Sequence, residues 1–333
     1  MFESEPILWV QGFASRWTSI AALALSAVET STYLALALAV MFGVRFKAGV
    51  VLVHLIAWNA VLTNVLKDAF ALPRPAWVDA SVQSPGQGDP VVTPLRSDPD
   101  GFLSLPEERA IDYFRKLPDP EFGFPSGHVS AATVFWGELL LWLRSRKLAL
   151  IGAAFVLVTA LSRMYLGRHY LADVLGGFVL GTTLVLAHAA IRAWTRRTSA
   201  STRRRQAVNL AAAIAPMGLL TPGLSAPAGS LGALFAATVI RVCLAGRVLP
   251  LGEGGAAQRM LRVSIALGLF AASTYAIEGA VDAVGWNDRP VGRFTDEFVP
   301  LLVSVFVAAW LFDRFHLYPG PFDSPRATRL EES

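Results

Sequence analysis

Ser162-Arg163-Met164-Tyr165-Leu166-Gly167-Arg168-His169-Tyr170-Leu171-Ala172-Asp173 stands between two apolar runs, about Leu148 to Met164 and about Tyr170 to Trp194. Each run has the length a helix needs to cross a hydrocarbon core, about 17 to 25 residues. The stretch therefore predicts two membrane spans joined by a short polar turn. If a helix starts near His169, Asp173 lies one turn further along on the same face, about 5 to 6 Å away between Cβ atoms. A carboxylate there holds one ring nitrogen and leaves the other unprotonated, the state a nucleophilic histidine needs. Arg163 offers a bidentate fork for a phosphate or carboxylate. Taken alone, the same residues equally describe a solvated loop.

Composition agrees with the spans. Of the 333 residues, 54% are hydrophobic and only 16% charged, against about 25% charged in soluble domains. The mean hydropathy is +0.48, and the chain reads as an integral membrane protein. Its pI near 9.4 does not point to nucleic acid, because the arginines cluster beside apolar runs, where membrane topology explains them. The single cysteine, Cys243, excludes an intrachain disulfide and any cysteine-based zinc or redox motif. Glu3 and Glu5 stand where a cleavable signal would carry positive charge, so the first span is expected to serve as the targeting signal.

The pattern predicts an all-α, polytopic transmembrane bundle of about nine spans. An interfacial lead-in at residues 6–16, flanked by Trp9 and Trp17, precedes a first span from about Thr18 to Met41 and a second from about Gly49 to Leu66. Residues 68–124 are too polar to cross and form a long aqueous loop, read as a partly ordered lid with a short helix near 104–116. The third span runs from Ser126 to Leu143, followed by those at 148–164 and 170–194. Gly177-x-x-x-Gly181 in the fifth reads as a close-packing surface. An arginine-rich linker at 196–206 separates this core, residues 1–195, from a C-terminal extension at 207–333. There the expected spans are 207–222, 229–245, 261–284 and 298–315, the first interrupted by Pro216. Placing the basic turns at 45–47, 144–147, 192–205 and 247–262 inside puts the N-terminus outside and the C-terminus inside. The 68–124 loop, the start of the third span and the His169 turn then share the outer face.

Two further segments bring chemistry to that face. Lys67 and Arg74, in Lys67-Asp68-Ala69-Phe70-Ala71-Leu72-Pro73-Arg74-Pro75, reach one anion if the segment folds back, with prolines stiffening the approach of Arg74. In Phe124-Pro125-Ser126-Gly127-His128 the serine suits a helix cap. The free N–H groups of a helix start form an anion site that Gly127 leaves open. A phosphoester needs its equatorial oxygens neutralised, a nucleophile in line and an acid opposite for the departing oxygen. Lys67, Arg74, Arg163, Ser126 and Gly127, with His128 and His169, supply a candidate for each requirement. As isolated motifs, each has a plain reading as a snorkelling or interfacial side chain.

Taken together, Lys-x6-Arg-Pro, Pro-Ser-Gly-His and Ser-Arg-x5-His-x3-Asp, in this order, resemble the type 2 phosphatidic acid phosphatase superfamily. The resemblance implies that His169 attacks phosphorus to form a phosphohistidine, that Asp173 orients it, and that His128 protonates the leaving alcohol and then activates water. It implies that Lys67, Arg74, Ser126, Gly127 and Arg163 bind the phosphoryl oxygens, and that no metal or other cofactor takes part. The motifs and their spans cover about residues 50–190. The long 68–124 segment and the four later spans depart from the bacterial lipid phosphatases of that superfamily, and the five-plus-four arrangement is similar to its glucose-6-phosphatase and sphingosine-phosphate phosphatase branches.

The expected activity is metal-independent hydrolysis of a lipid phosphate or diphosphate presented by the surrounding bilayer, at the outer face of a cell (inner) membrane. Two alternatives stay open: phosphoryl transfer to a lipid or sugar acceptor, and a non-catalytic lipid transporter. Glu29, Glu138 and Glu278 lie within apolar runs, where a carboxylate is costly. Glu138 lies about 15 Å below His128 on a straight helix, too deep for the chemistry, and is expected to make interhelical hydrogen bonds or be protonated. His54 and His188 are expected to be structural.

Overall fold

The computed structural model describes residues 2–86, 105–117, 121–197, 228–244, 249–250 and 253–318. Its regular structure among these residues is entirely helical. The helices are α1 Glu5–Gln11, α2 Arg16–Ser26, α3 Thr30–Gly43, α4 Phe46–Phe70, α5 Pro75–Val78, α6 Glu108–Arg115, α7 Gly127–Leu143, α8 Arg146–Tyr165, α9 Leu171–Arg197, α10 Ala228–Cys243, α11 Ala256–Ala283 and α12 Pro290–Arg314. Five segments are long and apolar enough to cross a bilayer: Phe46–Val78, Arg146–Tyr165, Leu171–Thr195, Ala256–Ala283 and Pro290–Arg314. The α2 and α3 pair makes a sixth when counted as one broken span. At 17 and 16 residues, α7 and α10 are shorter, though each falls where a span was expected. The expected span at 207–222 and most of the 196–206 linker lie outside the described residues.

The first expected span, Thr18 to Met41, is not continuous. Helix α2 stops at Ser26, and α3 begins at Thr30. Glu29, Thr30, Ser31 and Thr32 place a carboxylate and three hydroxyls in the apolar run, and short hydroxyl side chains favour helix starts over helix interiors. Residues 6–16, the expected interfacial lead-in, include helix α1. Ile7 and Gln11 of α1 are buried, and Gln11 Nε2 donates to the carbonyls of Gln83 at 2.7 Å and Tyr165 at 2.8 Å.

The chain divides into two compact units, residues 1–31 with 62–186 and residues 32–61 with 187–333. In the first, α1, α2 and α7 all pack on α8. Gln11 ties α1 to the end of α8, and Ser19 Oγ meets Tyr165 Oη at 2.7 Å to tie α2 to the same point. Within the 68–124 segment, Val78, Ala110 and Phe114 bury a small cluster between α5 and α6; residues 87–104 and 118–120 lie outside the described residues. In the second unit α12 packs on both α10 and α11. Arg262, fully buried, donates there to the carbonyls of Phe42, Glu253 and Leu317. Its guanidinium stacks 4.1 Å from the Tyr318 ring, so carbonyl dipoles and a π-face surround this charge.

Glu138 of α7 is fully buried, with Oε1 accepting the Trp142 indole N–H at 2.7 Å. That partner lies one turn along the same helix. Trp58 Nε1 donates to buried His54 Nε2 at 3.2 Å, also within one helix.

Candidate active site

All three motif segments fall in the first unit, and backbone hydrogen bonds stitch them together. Helix α4 ends at Phe70, and Ala71 turns the chain with a left-handed φ of 48°. Arg74 is extended at φ −78°, ψ 152°, as a residue preceding proline must be, and Pro75 opens α5 at its first turn. Gly123 N–H donates to the Leu72 carbonyl at 2.8 Å, which brings the approach to α7 alongside this turn. Ser126 N–H donates to the Asp173 carbonyl at 2.8 Å, joining the start of α7 to the start of α9.

The packing of α9 against α7 depends on missing side chains. A Cβ on Gly177 would strike the Ser126 carbonyl, and one on Gly181 would come within 2.6 Å of the Ser130 carbonyl. The Gly177-x-x-x-Gly181 pair is thus a packing surface, as its spacing suggested. From the other side, Thr63 Oγ1 lies 3.3 Å from Ser130 Oγ. Lys67 follows Thr63 by four residues on α4, so the same helical face carries the lysine toward the site. There it feels the charges of Arg74, Arg163 and Asp173.

Arg163 occupies the last turn of α8 and is 2% exposed. The turn after it needs Gly167, at φ +65°, where an added Cβ would run into the Gln83 carbonyl. The Gly167 carbonyl accepts the Ala76 N–H at 3.2 Å, and Arg168 N–H closes the turn onto the Arg163 carbonyl at 3.2 Å. Helix α9 begins at Leu171 rather than near His169. His169 therefore precedes the helix, and Asp173, in its first turn, reaches back. Asp173 Oδ2 accepts the Tyr170 N–H at 2.9 Å, the acidic half of a capping box, and faces His169 Nδ1 at 3.4 Å. Gly123 makes room for that carboxylate, since a Cβ there would lie 2.8 Å from Asp173 Oδ2.

His169 is 2% exposed and Asp173 is fully buried. Burial first, and then the positive fields of Arg163, Arg74, Lys67 and His128, hold the His169 imidazole well below its ordinary pKa. The ring is neutral at pH 7. With Nδ1 turned to Asp173, Nε2 on the opposite edge carries the lone pair.

His128 lies in the first turn of α7 with Nε2 3.1 Å from the Ser26 carbonyl. A carbonyl only accepts, so Nε2 carries the proton in this contact. Ser126 takes the N-cap position, but its hydroxyl makes no capping bond; buried and unpartnered, Oγ is left for another acceptor or donor. Arg74 is already engaged, with Nη1 2.6 Å from Glu121 Oε2. Arg163 forms no ion pair among the described residues. Its Nη1 donates to Ser26 Oγ at 3.1 Å, and its Nε is buried without a partner.

The eight residues expected from the sequence thus lie on segments that the fold brings together, and the positive charges of three of them, Arg163, Arg74 and Lys67, act on His169. Four others were missed. Gly123 and Glu121 sit within the polar 68–124 segment and carry no motif signal. Arg168, beside His169, was passed over because the motif leaves its position open. Ser26 lies in an apolar run more than a hundred residues from the groups it contacts, a separation that no local pattern reveals.

Residues 33–197 match the family model described as PAP2 superfamily. Phosphatidylglycerophosphatase B of Bacillus subtilis (strain 168) is 30% identical to the chain over 82 residues, which is 22% of this chain and 40% of that relative. The chain thus spans about two fifths of that relative's length. No solved structure matches it significantly. The matched region contains every residue of the three motif segments. Over residues 33–197, this chain belongs to the PAP2 superfamily.

Proposed function

We propose that the protein is an integral membrane phosphatase that hydrolyses a lipid phosphate or diphosphate through a phosphohistidine, without a metal. The carrying observation is His169, neutral, buried and turned toward Asp173, at a position on which the positive charges of Arg163, Arg74 and Lys67 act.

In the first step His169 Nε2 attacks phosphorus and the bond from phosphorus to the lipid oxygen breaks. A protonated His128 gives its proton to that departing oxygen, releasing the alcohol or, from a diphosphate, the monophosphate. Lys67, Arg74, Arg163, the Ser126 hydroxyl and the N–H groups at Gly127 neutralise the phosphoryl oxygens, whose charge grows more exposed in the transition state. Asp173 stabilises the positive charge that forms on His169. In the second step His128, now neutral, takes a proton from water as the water oxygen attacks phosphorus. The phosphorus–nitrogen bond breaks, inorganic phosphate leaves, and His169 returns to its neutral state.

In this reading residues 1–195 form the catalytic core and 207–333 a transmembrane extension, nine spans in all. The N-terminus and site face away from the cytosol in a cell membrane, and the C-terminus faces the cytosol. The basic turns at 45–47, 144–147 and 192–205 support that orientation.

The test is phosphate release by purified protein, with a chelator present, over phosphatidic acid, phosphatidylglycerol phosphate, prenyl diphosphates, sphingoid phosphates and sugar phosphates. Release from at least one lipid, lost in His169→Ala, is the expected result. Equal release by His169→Ala would overturn the mechanism.

A further inference from the structure

We propose that Arg168 is a fourth phosphate-binding cation of this site, and that the Ser26 hydroxyl holds Arg163 and Arg168 together until a phosphoryl oxygen replaces it. The proposal deepens the phosphatase reading and rests on it.

Ser26 closes α2 and is met by three side chains. Arg163 Nη1 donates to its Oγ at 3.1 Å, Arg168 Nη1 donates to the same Oγ at 3.2 Å, and His128 Nε2 donates to its carbonyl at 3.1 Å. Two guanidinium groups therefore share one neutral oxygen, and both lone pairs of that hydroxyl are used. Bringing two like charges to a neutral atom gains little. An anionic oxygen in the same place makes both contacts ion pairs as well as hydrogen bonds, and offsets the charge that a neutral hydroxyl leaves standing.

Arg163 Nε, Arg168 Nε and Ser126 Oγ are three of the buried polar atoms of this neighbourhood that have no hydrogen-bond partner, along with Arg74 Nε and Asp173 Oδ1. A protein interior rarely leaves such groups unmade, because each costs free energy until it is satisfied. A tetrahedral anion with three free oxygens has enough lone pairs to answer all three. Arg168 forms no ion pair among the described residues. The nearby carboxylates are otherwise committed: Glu121 pairs with Arg74, and Asp173 serves Tyr170 and His169. The field of Glu29 reaches Arg163, but no ion pair joins them among the described residues.

The turn fixes the relation between the two arginines. Arg168 N–H bonds to the Arg163 carbonyl across Gly167, so their side chains leave a single tight turn toward the same hydroxyl. Arg168 also acts electrostatically on Arg74 and His128, and so belongs to the same charged set. Ser26 is the occupant that substrate must displace.

The experiment is equilibrium binding of inorganic phosphate, alongside lipid hydrolysis, for the wild type, Arg168→Gln, Arg168→Lys and Ser26→Ala, each confirmed folded by its unfolding temperature. For Arg168→Gln, phosphate binding and KM are expected to weaken about tenfold or more, the loss of a hydrogen bond to a charged group, with kcat reduced less. Arg168→Lys should recover part of the binding, and Ser26→Ala should bind phosphate more tightly. Wild-type phosphate affinity in Arg168→Gln would overturn the assignment of Arg168. Weaker phosphate binding in Ser26→Ala would overturn the exchange, showing the hydroxyl to be a fixed support. If the wild type hydrolyses no lipid yet binds phosphate through Arg168, the phosphatase reading fails while the anion site stands. If it hydrolyses lipid and Arg168→Gln binds phosphate normally, only the present proposal fails.

Discussion

His169 Nδ1 lies 3.4 Å from Asp173 Oδ2, with both side chains all but sealed from solvent. The contact is long for a hydrogen bond, because the carboxylate is anchored first by the Tyr170 N–H at 2.9 Å. One residue therefore both starts α9 and orients the His169 ring, the nucleophile of the proposed mechanism. Catalytic contacts of this kind tighten when charge develops on the imidazole.

Asp173→Asn separates those two tasks. The amide oxygen still accepts the Tyr170 N–H, while the charge facing His169 is gone. Unfolding temperature should stay close to that of wild type, and kcat should fall by about 10²- to 10⁴-fold. Asp173→Ala should lose the capping bond as well, at about 1 kcal/mol of stability. Steady-state kinetics beside calorimetry reads both effects.

His169 makes stability depend on pH in a definite direction. Its folded pKa is well below 6.5 because the ring is buried and faces Arg163, Arg74, Lys67 and His128. Below about pH 6.5 the unfolded chain binds a proton that the folded ring refuses, so stability falls as pH falls; above it the difference vanishes. The drop in unfolding temperature between about pH 7.5 and pH 5.5 should be smaller in His169→Gln than in wild type. The acid limb that His169 gives to kcat/KM should likewise lie below its ordinary value.

Glu121 is the counter-ion of Arg74, and in the proposed mechanism the substrate phosphate displaces it. Its carboxylate is half exposed, so the pair is worth no more than about 1 kcal/mol. Glu121→Gln should then lower KM by up to about fivefold, with kcat little changed, an effect that shrinks in high salt. An unchanged KM at low ionic strength would show that Arg74 does not meet the substrate.

Gly177→Ala puts a methyl group against the Ser126 carbonyl. Overpacking of this kind costs about 1 to 3 kcal/mol. The strain falls on the residue that caps α7, so stability and kcat should decline together, whereas Gly268→Ala, with open space at its Cβ, should change neither.

The core spans and the three motif segments were legible in the sequence because their signals are local. Apolar runs mark α4, α8 and α9, and the intervals from Arg163 to Asp173 survive whatever the rest of the chain does. The break at Ala27 to Glu29 was hidden because the apolar residues on both sides outweigh one carboxylate in any span-length reading. The helix start at Leu171 was misjudged by two residues, since Asp173 can reach His169 from inside the helix or by folding back over its first turn. Ser26, Glu121 and Gly123 were invisible for a different reason. Each acts through a contact between distant parts of the chain, and a serine, a glutamate and a glycine announce no partner until the fold supplies one.

The most direct test of the central claim is covalent trapping. Protein mixed with a ³²P-labelled lipid phosphate and quenched in alkali within milliseconds should carry acid-labile, base-stable label on the peptide that contains His169, and His169→Ala should carry none. Label of the same stability in His169→Ala, or turnover in wild type with no labelled protein at any quench time, would contradict the account.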